Sequence, residues 1–282
     1  MKVFACIDGL AQTVSVCDYS LWAARRLRAP LQFLHVLDRH PERASATDFS
    51  GTIGLGAQEN LLEQLSALDE QRSKLAQEHG RQVLQAARLR AEEAGLTSVD
   101  TLQRHGELVE NLLDLEPEAR LVVLGQHQAP ETYSRWHLDQ NAERVVRSVQ
   151  RPVLVVTGPF REPERFVIAF DGSRTGKSMV STVAESPLLR GLDCHVIAAD
   201  DSTAGSASLN WARSTLDGQG FTVHVEKRAG APDEVVRDYC ADVQADLLVM
   251  GAYGHSRIRH LIMGSTTSTL LRTSPVPVLV LR

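Results

Sequence analysis

The chain has 282 residues, room for about two domains of ordinary size. With 43% hydrophobic and 23% charged residues it is neither a disordered nor a fibrous sequence, and a formal net charge of -5 offers no bulk attraction to nucleic acid. No apolar run approaches the ~18 residues that span a bilayer, and the opening MKVFACIDG is a short apolar run ending in Asp-Gly rather than a cleavable leader; a soluble cytoplasmic protein without a membrane or nucleic-acid partner is expected.

Short runs rich in Val, Ile and Leu alternate along the chain with longer amphipathic stretches. Strands are predicted near 2–7, 31–37, 98–104, 120–125 and 152–156, and again near 165–171, 193–199, 221–228, 246–251 and 277–281, with helices between them. The Gly-rich segment FSGTIGLGA (49–57) reads as an exposed loop before a long helix. That helix, over 59–94, carries Leu61, Leu65, Leu68, Leu75, Leu84 and Ala87 as one apolar stripe. Runs such as RLVVLG and DLLVMG barely alternate, which suits strands buried on both faces of a parallel sheet. The order βαβαβαβαβ in each half implies an α/β, doubly wound fold with helices on both faces.

The halves repeat each other. MKVFACIDGL (1–10) matches RFVIAFDGSR (165–174), LVVLGQ (121–126) matches LLVMGA (247–252), and RVVRSVQRPVLVV (144–156) matches TLLRTSPVPVLVL (269–281), in the same order. Between them GPFREPE (158–164), with two prolines and one glycine, reads as a linker joining domains 1–157 and 165–282. The last strands, PVLVV and PVLVL, have no following helix to cover an edge, so they are expected to pair with each other or with a second chain, unless each ends its own sheet.

Residues 251–266, GAYGHSRIRHLIMGST, leave the strand DLLVM and lead into a helix. Gly251 and Gly254 allow close approach of the backbone to a ligand, and Gly264 and Ser265, followed by Thr266, open a helix whose free N–H groups favour an anion. His255, Arg257, Arg259 and His260 lie in the same loop and either face a phosphate or form a solvated basic rim.

The spacing Gly-x2-Gly-x9-Gly-Ser resembles the nucleotide-binding signature of the universal stress protein family. AFDGS (169–173) is similar to the family's first-strand ending, GAPDEVV (230–236) to its turn into the third helix, and PVPVLVL to its final strand. The resemblance covers both halves. It implies five-stranded parallel sheets of order 3-2-1-4-5, a role as a nucleotide-responsive stress factor, and ATP with Mg2+ as the ligand. It further implies Asp171, followed by Gly172 and Ser173, on the ribose side; the backbone at Ala198 against adenine; and Gly251, Gly254, Gly264 and Ser265, with His255 and Thr266 adjoining, along the phosphates. The halves are then expected to form an intramolecular pseudo-dimer, with a homodimer of chains as a further level.

The first half has lost the motif. Its counterpart, GQHQAPETYSRWHLDQNAERVV (125–146), keeps Gly125 but places Asp139 near Gly264 and Gln140 near Ser265. A carboxylate there caps the helix itself and repels phosphate, so the first half is not expected to bind ATP in the family manner. DGSRTGKS (171–178) imitates a phosphate loop but is one residue short between its glycines, leaving Lys177 on the exposed side of a first helical turn. Metal-binding histidine pairs and esterase elbows are absent, and no catalytic constellation emerges. An interaction module without nucleotide, or a slow ATPase or phosphotransferase using His255 or His260, are the alternatives. Cys6, Cys17, Cys194 and Cys240 lack a CxxC pair and read as reduced, mostly buried thiols.

Overall fold

The computed structural model describes residues 1–37, 55–126, 140–199, 203–252 and 265–282, with the backbone alone at 55–63, 140, 203–205 and 265. The first half runs β1 (Lys2–Cys6), α1 (Thr13–Leu27), β2 (Leu31–Leu37), α2 (Leu55–Glu93), β3 (Val99–His105), α3 (Leu108–Leu115), β4 (Ala119–Gly125), α4 (Gln140–Ser148) and β5 (Val153–Val156). The second repeats it as β6 (Arg165–Ala169), α5 (Arg174–Glu185), β7 (Asp193–Ala198), α6 (Thr203–Asp217), β8 (Val223–Lys227), α7 (Pro232–Asp242), β9 (Leu247–Gly251), α8 (Ser265–Thr273) and β10 (Val278–Leu281).

Within each half the strands are parallel and ordered 3-2-1-4-5, and the halves share one ten-stranded sheet of order β3-β2-β1-β4-β5-β10-β9-β6-β7-β8. The two proline-preceded strands meet: β5 and β10 pair antiparallel, with Leu279 opposite Leu154 and Val278 opposite Val155. Alternation along each strand divides the core. On one face Ala5, Phe33, Val123 and Leu154 are continuous with Ile168, Val196, Val249 and Leu279 beneath α1, α2, α5 and α6. On the other, Phe4, Val122 and Val155 are continuous with Val167, Leu248 and Val278 beneath α3, α4, α7 and α8. Neither cluster stops at the boundary between halves.

Segment 158–164 is packed rather than slack. Phe160 meets the Tyr19 ring edge-on at 4.8 Å, and the Arg161 N–H donates to the Tyr19 hydroxyl at 3.4 Å. Across the same seam Arg26 Nε donates to the Leu188 carbonyl at 2.6 Å, and Arg282 donates to the carbonyls of Val146 and Arg147.

The stripe read along α2 is corrected by the structure. Leu84 and Ala87 are buried against the sheet, as is Ala91, but Leu65, Leu68 and Leu75 are exposed, because the helix runs past the sheet before its described side chains reach Gly80. Helical periodicity registers a stripe without registering what covers it. All four cysteines are free; Cys17, Cys194 and Cys240 are buried, and burial pushes the Cys17 and Cys240 thiols up to about 12, which keeps them as unreactive thiols.

At the far end of the second half, His195 and His224 stack at 4.8 Å on neighbouring strands, and His195 Nδ1 lies 2.9 Å from the Tyr239 hydroxyl on α7. Burial first, and the neighbouring His224 second, hold His195 below its ordinary value of 6.5. The folded chain therefore binds this proton less tightly than the unfolded chain. Its contribution to stability is complete above pH 6.5 and is lost as the pH falls from there through the folded value. Thermal unfolding followed from neutral to mildly acidic pH should show this loss, and His224→Gln should both shrink it and move the His195 proton resonance to titrate at higher pH. An unchanged His195 titration in that variant contradicts the coupling.

Candidate functional site

In the second half β6 is hydrogen-bonded to β7 on one side and β9 on the other. The chain leaves β6 for α5 on one face of the sheet and leaves β9 toward α8 on the other. Such a switch point opens a crevice outside the carboxyl ends of the strands. A cavity of about 380 Å3 occupies it, within the range of small-ligand sites. Phe170, Met179 and Ile197 form part of its apolar wall, Pro232 and Val236 bring in α7, and Met250 and Leu270 lie on the β9 and α8 side. Pro232 stands at the first turn of α7, where its missing N–H costs nothing, and Asp233 and Glu234 follow where the helix dipole favours them.

Of the residues singled out in the sequence, Asp171, Gly251 and Thr266 line this cavity. Gly172 takes φ +69°, and a Cβ there would lie 3.2 Å from Ser208 Oγ, so glycine is needed for the turn. Ser173 caps α5: its hydroxyl accepts from the Gly176 N–H at 3.0 Å, and its own N–H donates to Asp171 Oδ1 at 3.0 Å. Ala198 is buried and its carbonyl accepts from the Arg228 N–H at 3.0 Å, and Ala199, one residue on, lines the cavity. Ser265 is the first residue of α8. Gly254, His255 and Gly264, with Arg257, Arg259 and His260, lie outside the described residues. Lys177 is exposed and sits 5.5 Å over the Trp211 ring, away from the cavity lining.

Two lining residues escaped the sequence reading. Gly176 is tied to Asp171: a Cβ there would fall 2.5 Å from Asp171 Oδ1 and 3.3 Å from the Phe170 ring. Its signal stood in DGSRTGKS, whose last glycine serves the carboxylate rather than a phosphate loop. Thr267 is a polar side chain buried in the cavity wall, the second threonine of a Ser-Thr-Thr run. Among the described residues no Lys or Arg lines the cavity and no cluster of acidic, His or Cys side chains could hold a metal. Among the described residues, the groups near the cavity suited to an anion are the backbone N–H groups at the start of α8.

The first half offers an internal comparison. Gly125 ends β4 as Gly251 ends β9, and α4 begins at Gln140 as α8 begins at Ser265. Among the described residues, a Cβ on Gly251 would meet nothing nearer than Thr175 Cγ2 at 4.0 Å, but one on Gly125 would lie 2.7 Å from Gln12 Cβ and 3.3 Å from Val16 Cγ2. The side chains of α1 thus close on the glycine that α5 leaves open. Beyond it Gln126 is buried where the second half has Ala252. Among the described residues, the strand-end backbone is thus more open at Gly251 than at Gly125.

This geometry defines a tandem pair of doubly wound domains, with a cavity at the switch point of the second. The sequence model of the Universal stress protein family matches residues 1–157 and again residues 163–282, and the chain belongs to that family. Universal stress protein Slr1230 of Synechocystis is 34% identical over 285 residues, spanning 100% of this chain and 99% of the relative. Among solved structures, a universal stress protein from Archaeoglobus fulgidus covers 100% of this chain and 96% of its own with TM-score 0.72 at 19% identity. A functionally unknown protein from Pseudomonas aeruginosa, PA1789, covers 99% and 92% with TM-score 0.65 at 17% identity. Both share the fold. Among the described residues, no helix is long and apolar enough to cross a membrane.

Proposed function

We propose that this chain is a cytoplasmic, nucleotide-responsive tandem protein that binds one ATP, with Mg2+, in domain 165–282. Domain 1–157, joined through 158–164, lacks a family-type site. The observation that supports this reading is the contrast at the strand-end glycines: among the described residues Thr175 Cγ2 is the nearest atom over Gly251, at 4.0 Å, whereas Gln12 closes over Gly125. The apolar cavity suits a nucleobase, with Asp171 available to ribose hydroxyls and the start of α8 to phosphates. A helix dipole contributes only about 0.3–1 kcal/mol at an exposed site, against about 8 kcal/mol for micromolar affinity. Burial of the base against Phe170, Met179 and Val236, together with backbone hydrogen bonds, has to supply the difference.

Occupancy also has a structural route to the rest of the molecule. The helix whose start would meet phosphate, α8, leads through Ser274–Pro277 into β10, the strand that joins the halves. Binding can shift anything there only through differential affinity.

Calorimetric titration of ATP and magnesium into nucleotide-free protein tests the reading. One site per chain is expected, with thermal stabilisation of about 2.7 kcal/mol when free ATP is at 100 times Kd. Two sites per chain contradict the assignment of the first domain, and absence of binding removes ATP from the function.

A further inference from the structure

α2 is an arm as well as a core helix. It spans 39 residues where its counterpart α6 spans 15. From Gly80 onward it packs on the sheet through Gly80, Leu84, Ala87 and Ala91, but every residue from Gln64 to Leu75 is exposed. At 1.5 Å per residue those twelve residues carry the helix about 18 Å beyond its support. Helices of that length are marginal in water without tertiary packing, and an ion pair on the arm, Lys74 with Glu70 at 2.7 Å, joins two exposed side chains and contributes little.

The arm nevertheless carries three large apolar side chains at ordered spacing. Leu65, Leu68 and Leu75 are 42%, 55% and 71% exposed. With Arg72 they occupy positions separated by three, four and three residues, the a/d seam of a coiled coil. The chemistry of Arg72 selects the occupant. In a parallel, in-register pair of arms, Arg72 would face Arg72 of the other copy within the seam, a like-charge clash. In an antiparallel pair centred on Glu70, Leu65 faces Leu75 of the second copy and Arg72 faces Leu68. Arg72 then lies beside Asp69 of that copy, an exposed carboxylate next to the seam. The same register brings Gly80 of one arm opposite Asn60 of the other, which places the sheet-packed parts of the two helices toward opposite ends of the pair.

We propose that the Gln64–Leu75 arm of α2 is a self-association surface, pairing antiparallel with the same arm of a second copy of this chain. The full chain should sediment in a concentration-dependent monomer–dimer equilibrium. Leu65→Glu with Leu75→Glu should weaken the dimer by more than ~100-fold, since four buried leucines are replaced per dimer and the new carboxylates face each other across the seam; unchanged ATP binding and an unchanged near-ultraviolet circular dichroism spectrum would show that the domains still fold. Orientation is tested separately by Leu65→Cys and Leu75→Cys. Mixed under oxidation, the two variants should cross-link to each other, and neither should cross-link to itself. A chain that stays monomeric at high concentration overturns the proposal, as does a dimer insensitive to the double variant. Self-cross-linking of either cysteine variant overturns the antiparallel register, and a monomer whose arm leucines matter only for holding a different protein gives the surface to that partner instead.

Discussion

Leu279→Asp is expected to unfold both halves of the chain together. Leu279 is 2% exposed, sits opposite Leu154 in the antiparallel pair, and belongs to the apolar cluster that runs through both domains. An unpaired carboxylate there costs several kcal/mol, against a total stability of about 5–15 kcal/mol for a protein. The milder Leu279→Ala should cost about 2–5 kcal/mol and leave a folded chain to measure. Two tryptophans allow the halves to be watched separately, Trp22 on α1 and Trp211 on α6. In chains retaining one or the other as sole fluorophore, denaturant unfolding should give coincident transitions, and Leu279→Ala should move both midpoints down together. If only the Trp211 transition moves, the halves are thermodynamically independent and the shared core does not couple them.

Gly251→Val should abolish ATP binding while leaving the fold intact. The backbone at Gly251 is not in the left-handed region, and a Cβ there makes only an ordinary contact with Thr175, so stability should change by less than about 1 kcal/mol. The added methyls project into the crevice where the strand end would meet phosphate. A loss of at least ~100-fold in affinity is expected, equivalent to about 2.7 kcal/mol. Gly264→Asp, which copies the first half, should have the same outcome. The reciprocal change, Gln12→Gly with Val16→Ala, removes the atoms over Gly125 but should not create a second site, because Asp139 and Gln140 align in sequence with Gly264 and Ser265. Wild-type affinity in Gly251→Val moves the nucleotide away from this crevice.

Much of the fold was legible because each strand is a short apolar run between strong punctuation. β2 was predicted at 31–37 and is Leu31–Leu37, starting directly after Pro30. The shared sheet was legible as far as an expectation of pairing, since two uncovered strands following prolines must find partners; that the partner is the other half depends on the packing of α1 and segment 158–164. The arm of α2 was misread because a leucine repeat looks alike whether it faces a core or water. Asp171 and Gly251, which line the cavity, stood out in the sequence because Gly251 ends β9 and Asp171 follows β6 by two residues, each within a short motif. Ala199, which lines the cavity next to Ala198, was not singled out because a backbone contact leaves no side-chain signature. Ser173 also caps α5, and Gly176 owes its place to a carboxylate five residues earlier that no spacing rule anticipates.

Placing both copies in one polypeptide changes the arithmetic of the β5–β10 joint. Two separate domains meeting along such strands would associate according to their concentration and could exchange partners. Tethered by seven residues, 158–164, each copy meets the other at an effective concentration set by the tether, whatever the cellular abundance. Dilution cannot separate them, and no second full-site copy can replace the first half. The half with the covered glycine is therefore a permanent companion of the half with the open one, and the ratio of one open crevice to one closed crevice is written into the gene rather than left to assembly.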